Sequence, residues 1–151
     1  QAYGSPITWA GANYGGWFPT SGNLADAVVA PGERFFLHLL VPQTITFVGE
    51  VMQGDLSNPL QGAGLTLTAS QVPQTGNLTE LEFDAANLDV VWAWNGSGYV
   101  GPWTFATGFG WVDPVDFTNL DGPTIDVGTG FFLVRSADVD LPWTRTFNVN
   151  N

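Results

Sequence analysis

Gly130-Phe131-Phe132-Leu133-Val134-Arg135 and, a few residues on, Pro142-Trp143-Thr144-Arg145-Thr146-Phe147 read as two strands, and the chain carries both motifs twice. Near its start stand Phe35-Phe36-Leu37 and then Pro42-Gln43-Thr44-Ile45-Thr46-Phe47. A long period of this kind marks a duplicated supersecondary unit. The duplication extends outward. Tyr3-Gly4-Ser5-Pro6-Ile7-Thr8-Trp9 parallels Tyr99-Val100-Gly101-Pro102-Trp103-Thr104-Phe105, and Gly16-Trp17 parallels Gly110-Trp111. The same spacing separates Tyr3 from Tyr99 and Phe35 from Phe131, while small drifts elsewhere are what loop insertions produce. Residues 3–51 are thus a partial repeat, residues 52–151 a complete one, and residues 52–98 have no earlier counterpart.

The local signals are those of an all-β fold. Residues 34–41 form a continuous apolar run of strand length, residues 44–51 are rich in β-branched side chains, and residues 65–68 alternate. Val91-Trp92-Ala93-Trp94 and Tyr99 to Phe105 flank Asn95-Gly96-Ser97-Gly98, a hairpin signal because Asn and Gly tolerate positive φ. The one helix candidate is a single turn at residues 75–82, with Asn77 as N-cap and Glu80 closing a capping box. Many short strands and 19 Gly with 10 Pro predict an antiparallel β-sandwich or barrel-like fold with at most one short helix. A length of 151 residues fits a single compact domain or two fused β half-units.

Charge narrows the partners. Fourteen acidic residues face three Arg and no Lys, for a net charge of −11. Nucleic acid and anionic membrane surfaces both need cationic clusters, so both are excluded. The longest apolar run, residues 35–41, is far shorter than the ~20 residues of a membrane helix, so no membrane insertion is expected. A chain that starts at Gln1 and has no Cys reads as a secreted product with a processed N-terminus, extracellular or at a cell surface.

No reactive constellation stands out. His38 is the single His, sits in an apolar run and lacks the companions of a zinc site or a triad; a half-buried strand position is expected for it. Glu80 and Glu82 would share a face if residues 80–82 were a strand, while Glu33, Glu50, Asp84 and Asp89 are scattered and read as solvated surface charge. Asp113, Asp116 and Asp121, with Asp138 and Asp140, raise calcium contacts, but their spacing fits turn formation better than an EF-hand. Asn77-Leu78-Thr79 and Asn95-Gly96-Ser97 fit the glycosylation sequon and also read as plain turns. The expectation is no enzyme, no catalytic residue, no cofactor and no resident metal.

Several phrases in order, Asp55-Leu56-Ser57-Asn58-Pro59-Leu60, Ser70-Gln71-Val72-Pro73-Gln74, Trp94 to Tyr99, Gly110-Trp111 and Trp143 to Phe147, resemble repeats of large secreted or surface-displayed bacterial proteins. That resemblance implies an extracellular β-rich module and supplies no catalytic residues. The partial repeat contains strands whose natural neighbours are missing, and no Lys is present to blunt their edges. Tyr3, Ile7 and Trp9 alternate onto one face of a segment suited to strand addition, making them the candidate assembly interface of a homo-polymer. The competing reading is a carbohydrate-binding module that uses some of the seven Trp.

Overall fold

The computed structural model describes residues 6–9, 17–19 (backbone only), 29–42, 44, 46, 48–138 and 140–149. The chain divides into two compact units, Gln1–Pro31 and Gly32–Asn151. In the first, β1 (Ile7–Trp9) pairs antiparallel with β2 (Trp17–Pro19).

The second unit holds nine strands: β3 (Gly54–Asn58), β4 (Gly64–Ala69), β5 (Gly76–Asn77), β6 (Val90–Trp94), β7 (Tyr99–Ala106), β8 (Gly110–Val112), β9 (Thr124–Ile125), β10 (Gly130–Arg135) and β11 (Trp143–Phe147). Five of them form one sheet in the order β4-β10-β6-β7-β8, and β11 pairs with β3, and β5 with β9, in two-stranded sheets. Every ladder is antiparallel, and no helix occurs among the described residues. No barrel closes; the arrangement is sandwich-like.

The period-2 pattern of β10 explains the core. Phe131, Leu133 and Arg135 point inward and are buried, while Phe132 and Val134 face the other side of the sheet. Phe131 meets Phe83 edge-on at 5.4 Å, and Phe83 meets Trp143 of β11 at 5.1 Å, so aromatic rings join the five-stranded sheet to the β3–β11 pair. Trp111 of β8 closes the cluster against Phe83 and Phe105. The Gly before that Trp has a geometric reason. At Gly110 φ is +109°, and a Cβ there would lie 2.5 Å from the Leu120 carbonyl, which accepts the Trp111 N–H.

Three expected elements are corrected. Residues 34–41 are irregular, as are the described residues among 44–51; Gln43, Ile45 and Phe47 lie outside the description. The Phe-Phe-Leu of β10 has β4 on one side and β6 on the other. Its first copy lies in no ladder, and Phe35 and Phe36 are 47% and 59% exposed. Strand formation here depends on neighbours rather than on the residues alone. The helix candidate at residues 75–82 is a single turn: Asn77 Oδ1 accepts the Glu80 N–H at 2.7 Å and Glu80 Oε2 accepts the Asn77 N–H at 2.9 Å. The capping box forms without a helix behind it because Glu82 turns to φ +53°.

The hairpin between β6 and β7 forms as read, with Trp94 opposite Tyr99 and residues 95–98 as its loop. Asn95 Oδ1 accepts the N–H groups of Ser97 and Gly98 and the Ser97 hydroxyl, each at 3.0 Å.

Candidate functional site

The two β-hairpins that carry the duplicated motif have the same register. In the first unit Trp9 stands opposite Trp17 and Thr8 opposite Phe18; in the second, Phe105 stands opposite Trp111 and Thr104 opposite Val112. These are the pairs that the duplicated phrases equate. In the second unit β7 continues into the sheet on its far side through β6. Among the described residues β1 has a ladder with β2 only. The edge of β1 that corresponds to the β6 side of β7 is therefore the candidate assembly edge. Ile7 and Trp9, 43% and 51% exposed, lie on it; Tyr3 is outside the described residues.

The other open sheet margin is β4, which pairs with β10 only among the described strands. Asn58 Nδ2 donates to the Ala69 carbonyl at 3.0 Å. Since the N–H and C=O of one strand residue point the same way, that bond puts the backbone groups of Leu65 and Leu67 on the same outer margin. Residues 32–36 pass beside it. Gly32 packs against Asn58 and Gln71, Arg34 donates to the Thr68 hydroxyl and to Asn58 Oδ1, and the Phe36 ring lies 6.3 Å from that of Phe132. The opposite margin, β8, is held by the Trp111–Asp121 bridge.

The three Arg are drawn inward, which strips the surface of cations. Arg135 and Asp89 form a fully buried ion pair at 2.9 Å, and Arg135 also donates to the Leu141 and Asp84 carbonyls. Asp89 was expected on the surface; it is buried, and its carboxylate additionally accepts the Ala86 N–H at 2.9 Å. Asp84 is not simply solvated either, because its Oδ2 accepts the N–H and hydroxyl of Thr144. Burial pushes Arg34 down to about 10 against the opposing pull of Glu33, so it remains a cation at neutral pH. Arg145 of β11 donates to Gln74 Oε1, and burial lowers it too, with Glu82 opposing.

The remaining candidates separate by their surroundings. His38 is exposed on the irregular segment, a correction to the half-buried strand position, because no ladder covers it. Glu80 and Glu82 sit in a turn and share no strand face. Asp113 Oδ1 accepts the Val115 and Asp116 N–H groups, and Asp116 Oδ1 accepts from Thr118. These bonds, the backbone N–H of Asp116 first for Asp113 and the Thr118 hydroxyl first for Asp116, hold both carboxyls below the ordinary range. They are turn-forming aspartates. Asp140 Oδ1 accepts the Gly62 N–H, and no group of three or more metal-ligating side chains occurs among the described residues.

Trp103, Trp111 and Trp143 are buried, Trp92 is half-buried, and Trp94 is 43% exposed. Trp94 and Val100 flank a shallow cavity of about 290 Å³ whose other walls are Ala93, Trp103, Pro123 and the polar Asn95, Asn119, Thr124 and Asp126. Sequence reasoning weighed Trp94 only as one of seven Trp and missed the polar half of this site. Asn119 and Asp126 are brought to it by a loop that no local signal ties to β6.

The chain matches no protein-family model, and no curated protein or solved structure is significantly similar to it. The phrases that resemble bacterial surface repeats therefore carry no family assignment.

Proposed function

We propose that the protein is a non-enzymatic, extracellular structural module that assembles with copies of itself head to tail by strand addition. The observation that carries this reading is the shared register of the two hairpins: β1–β2 repeats β7–β8, yet the strand that β6 supplies to β7 has no described counterpart beside β1. A second copy of the chain supplies it in the assembled state. Main-chain hydrogen bonds provide the affinity of such a contact, and the alternate side chains, Ile7 and Trp9, provide its specificity. A contact between two different surfaces of identical subunits does not close on itself, so it propagates as a filament or layer.

The test is a deletion of residues 1–10 followed by negative-stain electron microscopy and sedimentation. The expected result is polymer from the intact chain and monomers from the shortened one, with near-ultraviolet circular dichroism of the buried Trp unchanged. Monodisperse monomers of the intact chain under all native conditions overturn the reading.

A further inference from the structure

The cavity beside the β6–β7 hairpin has a chemistry that strand addition does not use. One wall is apolar and ring-rich: Trp94, Trp103, Val100 and Pro123. The other carries Asn95, Asn119, Thr124 and Asp126. Both Asn amides are held by the turns they build. Asn95 Oδ1 accepts three donors from Ser97 and Gly98, and Asn119 Oδ1 accepts the Asp121 N–H at 3.1 Å. With their oxygens engaged, what these side chains offer a ligand is a pair of N–H donors. Asp126 offers an acceptor. The Trp103 indole is fixed in turn by its Nε1–H, which donates to Asp113 Oδ2 at 3.1 Å.

We propose that this cavity binds one ring of a neutral glycan. A pyranose presents polarised C–H groups on its faces, which the electron-rich face of an indole attracts, and hydroxyls on its rim that both donate and accept. A wall of rings opposite fixed donors and a carboxylate matches that division. Its volume, about 290 Å³, is at the small end for ligand sites of ~300–1,000 Å³, the size of a single sugar ring. Other ligand classes fit less well. A net charge of −11 with every Arg turned inward repels phosphorylated, sulfated and uronic ligands. A purely apolar ligand would leave four polar side chains without water or partner. A cation could meet Asp126 and an indole, but the two amide donors would oppose it. Calcium needs 6–8 oxygens, and Asp126 supplies the one carboxylate.

A shallow one-ring site predicts a Kd on the order of 1 mM. The experiment titrates the ¹⁵N-labelled full chain with the methyl hexopyranosides of glucose, galactose and mannose, with neutral oligosaccharides of each, and with butylamine hydrochloride. The indole N–H signals of Trp94 and Trp103 are followed. The expected result is saturable movement of those two signals by at least one neutral sugar. About tenfold weaker binding is expected in Asp126→Asn, whose side chain is exposed and isosteric, and at least as large a loss in Trp94→Ala. The site is overturned if no neutral sugar moves these signals at about tenfold above that Kd, if binding survives both substitutions, or if the amine moves them more than the sugars do. Because β1 takes no part, the Ile7–Trp9 segment can be deleted without changing these outcomes.

Discussion

At the residue scale the informative position is Arg135. A guanidinium with no exposed surface costs several kcal/mol to desolvate, and the cost is met only because Asp89 faces it at 2.9 Å and two carbonyls take its remaining donors. Asp89→Ala therefore leaves an uncompensated buried cation and is expected to destabilise the fold by about 3–5 kcal/mol in urea unfolding. Arg34 is the contrasting case. Its Nε is buried without a hydrogen-bond partner and burial depresses its pKa, so the native state gains little from the charge. Arg34→Met is expected to change stability by less than about 1 kcal/mol in the same assay.

Asp113 and Asp116 set a pH dependence. Their carboxyls are depressed in the folded chain, so the stabilisation they supply is complete above the ordinary carboxylate value of 3.8. It is lost as pH falls from there through the lower folded-state values, where the unfolded chain no longer binds more protons than it gains on folding. Thermal melts from pH 6 to pH 2 should show a fall that begins near pH 4, and the double variant Asp113→Asn, Asp116→Asn should show a shallower one.

At the element scale, one motif has two outcomes. Phe131 is fully buried between the layers, while Phe35, its counterpart in the first copy, is 47% exposed on an irregular segment. Phe131→Ala is expected to cost about 3–5 kcal/mol and Phe35→Ala under about 1 kcal/mol, read from urea midpoints. Similar costs at both positions would mean that residues 34–41 join a ladder after all. The strands that were legible, β4, β6, β7 and β10, are those whose apolar residues alternate or fill a short run bounded by turn signals. Residues 34–41 carry the same signal and form no strand, because a ladder needs a neighbour and local sequence cannot report one. The turn at residues 77–82 shows the reverse: its cap was legible, and only the following residues determine that no helix continues.

At the scale of the whole molecule, charge sets the conditions for association. With Arg34, Arg135 and Arg145 all bonded inward, the exterior is acidic, and copies repel one another at low salt. Screening shortens the Debye length from ~30 Å at 0.01 M to ~3 Å at 1 M salt. Self-association by strand addition is therefore expected to rise with sodium chloride across that range, as measured by sedimentation velocity. Polymer that dissolves with added salt would point to a contact held by charge instead.

The composition and periodicity of the chain determined by themselves its all-β class, the positions of its best strands, the β6–β7 hairpin and the duplication, because each depends on residues close in sequence. The matching registers of β1–β2 and β7–β8 follow from the same local repetition. Only the tertiary structure decided that Asp89 leaves the surface to meet Arg135, that one Phe-Phe-Leu becomes a central strand and the other does not, and that Asn119 and Asp126 join Trp94 around one cavity. Burial, ion pairing and ladder formation depend on residues far apart in the chain, and their free energy arises when those residues meet.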